Sequence, residues 1–376
     1  MRFAAFLLAL CVAGSAFGQD DPATLARNAA DKLEAAHRAL NDATGARDRV
    51  AALTETIKGY EDGLNALRDG LRRAAIRETA IRREFDAESE KVSQLLGVLL
   101  SIQSSSGPVL TLHPSGALGT ARSGMIVADV TPGFQAEAEK LRERLEEIQL
   151  LRVLQESAAD SLVEGLAGVQ QARTSLSKAI SERTDLPKRL LADPEQMQKL
   201  IESTETLEGF ASGLGQIEIS DLGIADEEEF ADAKGTLALP VEGTLLRGFN
   251  ETDAAGIRRP GILVAARPLS LVTTPWPATL RYLGPLLDYG NVMIFEPATA
   301  TLLVLAGLDE MYGSVGDVLP PGAPIGLMGG NTPDADTFLL QAANGSGSEL
   351  TETLYIELRV NGEPVDPTEW FADTKE

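Results

Sequence analysis

Histidine is almost missing from this chain: there are two among 376 residues, His37 and His113, both in its first third. The rest of the sequence therefore excludes any chemistry that needs imidazole, whether as a metal ligand or as a base titrating near neutrality. Cysteine is limited to Cys11, so no disulfide can staple the fold and its stability must come from packing. Basic residues are also short, 33 against 56 acidic ones, and the formal charge of -23 argues against binding nucleic acid or anionic lipid, both of which repel such a surface. Partners should be neutral or basic.

One long apolar run is present, and it lies at the start. Met1, Arg2 and Phe3, the apolar stretch from Ala4 to Ala13 and the small residues Gly14, Ser15 and Ala16 form the three segments of a secretory signal peptide. Residues 1–18 are expected to be cleaved after Ala16 or Gly18, which predicts an exported chain. The run is too short to span about 30 Å of hydrocarbon comfortably. Leu10, bulky before Cys11, argues against lipid attachment at that cysteine.

Beyond the signal, residues 20–190 carry helical patterning. Val50, Leu53, Ile57, Tyr60, Leu64, Leu67, Leu71 and Ala74 form a seam at alternating three and four spacing, preceded one step out of phase by Leu33, Ala36, Leu40 and Ala43. This predicts a coiled coil with a stutter. A second seam, Leu141, Leu145, Ile148, Ala159, Leu162, Leu166, Val169, Leu176 and Ile180, has polar Arg152 and Gln155 at seam positions, where looser packing is expected. Two seams around an insert at about 92–132 predict an antiparallel hairpin with a small helical tip, although a parallel dimer along one helix would give the same pattern. A first helix of about 70 residues would be on the order of 100 Å long.

Residues 195–234 predict a helical arm and an acidic linker. Met197, Leu200, Ile201, Leu207 and Phe210 mark the amphipathic part, which could dock on the domain that follows or on the base of the hairpin. Asp226, Glu227, Glu228 and Glu229 belong to a solvated charge run. From residue 235 to 376 short β-type runs punctuated by glycine and proline predict a mainly β domain: 237–241, 261–266, 270–273, 278–283, 291–295, 301–305, 324–327 and 354–360. The fold class is thus α+β multidomain.

In this last segment four pieces appear in order. They are Leu237 to Gly243 with Arg247, Gly248 and Phe249; Gly290, Asn291 and Val292; Ser314 to Val318 with Pro321 to Gly326; and Glu357 to Pro367. Together they resemble the LytM/lysostaphin-type (peptidase M23-like) domain, a duplicated hybrid motif fold. On that resemblance the family's H-x-x-x-D ligand pair falls on Arg259 and Leu263, its Y-x-H base near Leu305 to Gly307 and its H-x-H on Thr353 and Tyr355, so every metal ligand and both catalytic histidines are missing. No cofactor, no metal and no catalysis are implied, because a guanidinium and a leucine cannot hold zinc. Unusual ligands such as Asp288, Glu296, Asp309 or Glu357 would be needed to rescue a peptidase.

The whole order, signal, helical hairpin, acidic linker and histidine-free domain, resembles the EnvC-type murein hydrolase activators. The resemblance implies a periplasmic, non-catalytic protein of cell division. Its degenerate cleft would bind an N-acetylmuramoyl-L-alanine amidase, and its coiled coil would contact the FtsEX division complex. Residues implied for the amidase are Arg259, Leu263, Thr353, Tyr355, Glu357 and Arg359; Tyr355 as plain strand core, Arg359 as a solvated charge and Glu357 as a local acceptor remain open alternatives. Leu95, Leu99 and Ile102 are assigned to the division-complex contact, and Leu200, Ile201, Leu207 and Phe210 to an autoinhibitory arm. A peptidoglycan-binding tether without activator function is the rival from another class. A secretion adaptor also joins a helical hairpin to β modules, but it usually carries them on both sides.

Overall fold

The computed structural model describes residues 22–104, 116–183, 186–187, 199–201, 203–204, 206–215, 227–252, 256, 258–333, 335–344 and 349–372. The expected signal peptide, His113 and Met197 lie outside the described residues. The chain divides into two compact units, one holding the residues up to Ala66 with Val163–Gln341 and Gly345–Glu376, the other Leu67–Leu162 with Ala342–Asn344.

Three helices open the chain: α1 (Pro22–Asp42), α2 (Ala46–Ser104) and α3 (Gly116–Ser181). The one-step slip in the first seam is a turn rather than a stutter. Ala43, Thr44 and Gly45 leave the helix, and the Arg49 amide donates to the Gly45 carbonyl at 3.1 Å to restart it. Helix α1 then folds back along α2, with Leu33 against Gly59, Ala29 near Gly63, and Lys32 paired to Asp62 at 2.6 Å. The Asn41-Asp42 and Gly45 turn formers at the slip are the physical reason, since they end a helix where a seam alone would continue it. In the same unit α2 meets α3 in the antiparallel sense. Tyr60 lies on Gly168, where an added Cβ would come within 2.5 Å of its ring, and Leu64 lies opposite Gly165.

In the second unit the two helices again pair in opposite directions. Arg77 donates twice to Glu147, at 2.7 and 3.1 Å, and Arg144 lies 3.4 Å from Glu84. Arg152 pairs with Glu78 at 3.6 Å and the Gln155 amide donates to it at 3.2 Å, so the polar seam positions are joined by an ion pair and a hydrogen bond instead of apolar packing. Exposed pairs of this kind contribute about 1 kcal/mol or less each. Leu145, expected in the seam, is exposed. Helices α2 and α3 also run through most of 92–132, the segment expected to form a separate tip: α2 reaches Ser104, and α3 begins at Gly116 and carries Pro132 inside it.

The remainder of the first unit is built on a ten-stranded antiparallel sheet: β1 (Gly243–Arg247), β2 (Ile262–Ala266), β3 (Leu271–Thr273), β4 (Ala278–Pro285), β5 (Asn291–Ala298), β6 (Thr301–Met311), β7 (Val318–Leu319), β8 (Pro324–Met328), β9 (Glu352–Val360) and β10 (Glu363–Val365). The main path runs β1-β2-β9-β6-β5-β4-β7, with β10 on β9 and β8 joining β3 to β6. The run at 237–241 is not a strand; only Leu237 forms an isolated bridge, to Phe371. One sheet face packs Ile262, Val264, Phe295, Leu305, Leu354 and Ile356 into a core closed by Phe230, Trp370 and Phe371. Phe230 comes from α5 (Glu227–Asp232) and stacks on Trp370 at 4.5 Å, so the end of the acidic linker is anchored. A further helix that the sequence reading missed, α6 (Ala335–Asn344), follows β8.

The base of α2 and α3 is fastened to this sheet by polar contacts. Glu61, with a side chain 13% exposed, accepts from Arg173 at 3.0 Å and from the Leu271 amide at 3.2 Å, while Ser177 bonds Glu310 and Tyr312 at 2.9 and 3.0 Å. Burial pushes the Glu61 carboxyl up to about 7 against the pull of Arg173. A folded pKa raised above the unfolded one contributes stability that is fully present below the unfolded value and lost as pH rises through 7. Replacing Glu61 with Gln is therefore expected to flatten the fall in melting temperature between about pH 5 and pH 8. Parallel melting curves for the two proteins across that range check it; equal slopes would overturn it.

Candidate functional site

The second face of the sheet carries Leu263, Ala306 and Tyr355 among the positions that the resemblance singles out, while Arg259 precedes β2 and Leu305 faces the main core. Strand register sets Leu263 of β2 opposite Tyr355 of β9, Tyr355 opposite Ala306 of β6, and Ala306 opposite Val292 of β5. Four adjacent strands thus place these side chains in one lateral row. Alternation along β9 puts Thr353, Glu357 and Arg359 on the same face, Thr353 exposed and the other two buried. Gly307, just past the row, has φ of 103° and would drive a Cβ to 2.4 Å from the Thr353 carbonyl, so strands β6 and β9 approach here only with glycine.

A short helix lies on this face. Helix α4 (Leu207–Gly215) is capped by Thr206, whose hydroxyl accepts from the Gly209 amide at 3.0 Å. Leu207, Phe210, Ala211 and Leu214, at i, i+3, i+4 and i+7, are each 2% exposed or less. They pack with Tyr282, Leu286, Val292, Ile294, Leu302, Val304, Ala306 and Tyr355, and Leu200, Ile201, Leu263 and Tyr289 close the edges. Phe210 meets Tyr282 edge-on, with ring centroids 4.8 Å apart. Gly213 lets Leu200 come close, since a Cβ there would sit 2.4 Å from the leucine side chain. All four arm residues singled out in the sequence thus lie in this cluster.

Below α4 the face is charged. Arg359, 2% exposed, donates to Glu357 at 2.7 Å, to the Gly362 carbonyl and to the Ser212 hydroxyl at 3.2 Å. Glu357 also accepts from the Tyr355 hydroxyl at 2.6 Å. Burial first, then the Glu357 charge, pushes the Tyr355 phenol far up, so it remains a protonated donor. A second buried pair, Arg281 with Glu296 at 2.8 Å, lies on the same face, and Arg281 also donates to the Leu214 carbonyl at 3.2 Å. Arg259 lies apart from these pairs, its guanidinium 5.2 Å from the Tyr289 ring centre, which in turn sits 5.8 Å from Tyr355.

These side chains do not suit a zinc ion. Arg259 brings a cation, Leu263 has no lone pair, and the Tyr355 hydroxyl and both Glu357 oxygens are engaged with one another and with Arg359. Among the described residues no group of three His, Cys, Asp or Glu could hold a metal. The face can instead receive a helix, through apolar walls and two fixed guanidinium donors.

Leu95, Leu99 and Ile102 lie on the α2 backbone, but their side chains are outside the described residues. Nothing in the sequence pattern marks Ser212, and Arg281 and Glu296 carry only a faint signal. A single arginine inside the apolar run 278–283 and a single glutamate ending the run 292–296 were the available signals, since a charge on an otherwise buried strand needs a partner.

No family model matches the chain. An uncharacterized protein of Neisseria meningitidis serogroup B, NMB1333, is 25% identical over 152 residues, which make up 40% of this chain and 23% of that protein. The chain thus spans about a quarter of that relative's length. Similar solved structures include Helicobacter pylori Csd3, at 21% identity over 36% of this chain and 34% of that one with a TM-score of 0.28. A putative peptidase M23 from Pseudomonas aeruginosa is 15% identical over 48% and 64% with a TM-score of 0.32. A SpoIIIAH and SpoIIQ complex matches at 22% over 35% and 97%, with a TM-score of 0.27.

Proposed function

We propose that this chain is an exported, non-catalytic activator of cell-wall amidases, and that it works by exchanging one helix for another on the face now under α4. The observation that carries the reading is the seat of α4: its apolar stripe covers the strand row where a LytM-type peptidase would hold its metal ligands. A groove of this composition binds an amphipathic helix through i, i+3, i+4 and i+7 anchors, whether that helix belongs to the same chain or to a partner. On this reading residues 1–18 direct the protein to the periplasm, and the N-terminal helices form an antiparallel coiled-coil hairpin. Leu95, Leu99 and Ile102 then meet the FtsEX complex, residues 195–234 restrain the cleft, and residues 235–376 are a degenerate LytM domain of the duplicated hybrid motif type. Arg259, Leu263, Thr353, Tyr355, Glu357 and Arg359 make or support the amidase contact.

The test mixes the full-length chain with a purified N-acetylmuramoyl-L-alanine amidase on dye-labelled sacculi. Solubilisation should need both proteins and rise when residues 195–232 are deleted. Changing Leu95, Leu99 and Ile102 to Glu should abolish binding to FtsEX and leave stimulation by the arm-deleted chain intact. Binding to sacculi without any effect on the amidase would favour the tether, and solubilisation by this chain alone, with stoichiometric zinc bound, would overturn the reading.

A further inference from the structure

The docked helix ends over a buried arginine, and the strand beneath is bent to put it there. Strand β4 pairs Leu280 with Phe295 and Tyr282 with Ile294, leaving Arg281 as the extra residue of a bulge. In a regular strand Arg281 and Tyr282 would face opposite sides. Here Tyr282 packs against Phe210 and Arg281 bonds the Leu214 carbonyl, so both serve the α4 face, which is what a bulge permits by re-aiming one side chain. Glu296 holds the guanidinium through one terminal nitrogen at 2.8 Å, and the other terminal nitrogen reaches the carbonyl at 3.2 Å.

Leu214 is the penultimate residue of α4. The last carbonyls of a helix have no intrahelical partner and carry partial negative charge, so a cation set against them is favourable. We infer that Arg281, oriented by Glu296, is a socket for helix C-termini that fixes the direction in which any helix occupies this face. A helix seated like α4 ends over Arg281 and presents a small oxygen acceptor, as Ser212 does, to Arg359 two residues earlier. An apolar stripe by itself fits a groove in either direction; the socket admits only one. The extension from α4 to a partner helix rests on the exchange reading above, whereas the socket itself is tested on α4 alone.

The experiment is hydrogen exchange with mass spectrometry on the full-length chain, comparing wild type with the Arg281→Met/Glu296→Leu double variant. Removing both charges avoids stranding a buried carboxylate, and apolar replacement of a buried pair is often neutral for stability. Exchange of the 207–215 amides is expected to rise about tenfold or more, the effect of losing a hydrogen bond to a charged donor, while β5 amides keep their protection. Should β5 lose protection, Arg281→Lys is read in its place: it keeps a charge beside Glu296 but lacks the planar fork, and the 207–215 amides should again exchange faster. Unchanged exchange at 207–215 with β5 protected overturns the socket. No amidase takes part in this readout, so failure of the amidase reading and failure of the socket are separate results.

Discussion

Replacing Phe210 with Asp is expected to raise amidase stimulation by the full-length chain roughly tenfold or more, to the level of the arm-deleted protein. Phe210 is fully buried and central to the α4 stripe. Truncating a buried phenylalanine costs about 3–5 kcal/mol, and a carboxylate without a partner in the same place costs more. By the population arithmetic, 3–5 kcal/mol moves the ratio of covered to uncovered face by roughly a hundredfold to a few thousandfold, enough to open an arm that is otherwise closed. The main core of Ile262, Phe295 and Ile356 lies on the other face of the sheet and does not include Phe210, so the melting temperature of the β domain should change far less than the exchange rate of α4. Exchange at 207–215 and sacculus solubilisation, measured on one preparation, check both halves. Faster exchange with unchanged stimulation would mean that α4 covers the face without restraining anything.

The parts of the molecule that were legible in the sequence are those set by periodicity. Strands β2, β4, β5, β6, β8 and β9 fall on apolar runs that the sequence reading marked, and the amphipathic stripe of α4 shows as Leu207, Phe210 and Leu214. What escaped was set by contacts distant in sequence. Strands β1, β7 and β10 have little alternation of their own and exist because β2, β4 and β9 offer free edges. The fold-back of α1 was hidden because a phase slip in a seam is written identically by a stutter and by a turn; glycines at 59 and 63, spaced for close helix approach, were the discriminating sign. At the site, Tyr355, Glu357 and Arg359 could be placed on one face from strand alternation alone. That the carboxylate and the guanidinium pair with each other under α4, rather than facing outward, depends on what covers them, and no local pattern records that.

Replacing Glu357 with Ala is expected to lower the melting temperature of the β domain by on the order of 10 °C, the largest stability effect at this site. Strand β9 lies between β2 and β6 and also carries β10, so damage to its face spreads through the sheet. Glu357 is 1% exposed and receives both the Tyr355 hydroxyl and the Arg359 guanidinium. Its removal leaves the arginine charged and buried without its carboxylate, a loss of about 3–5 kcal/mol. The Glu357→Leu/Arg359→Met double variant should recover most of that stability, because it removes both charges together. Calorimetry on the wild type, the single and the double variant measures the coupling; equal melting temperatures for single and double would overturn it. The double variant also separates two roles that the single one mixes. If the pair serves only the fold, a stable double variant with its arm deleted still stimulates the amidase; if Arg359 reads the incoming helix as it reads Ser212, stimulation is lost while the fold holds.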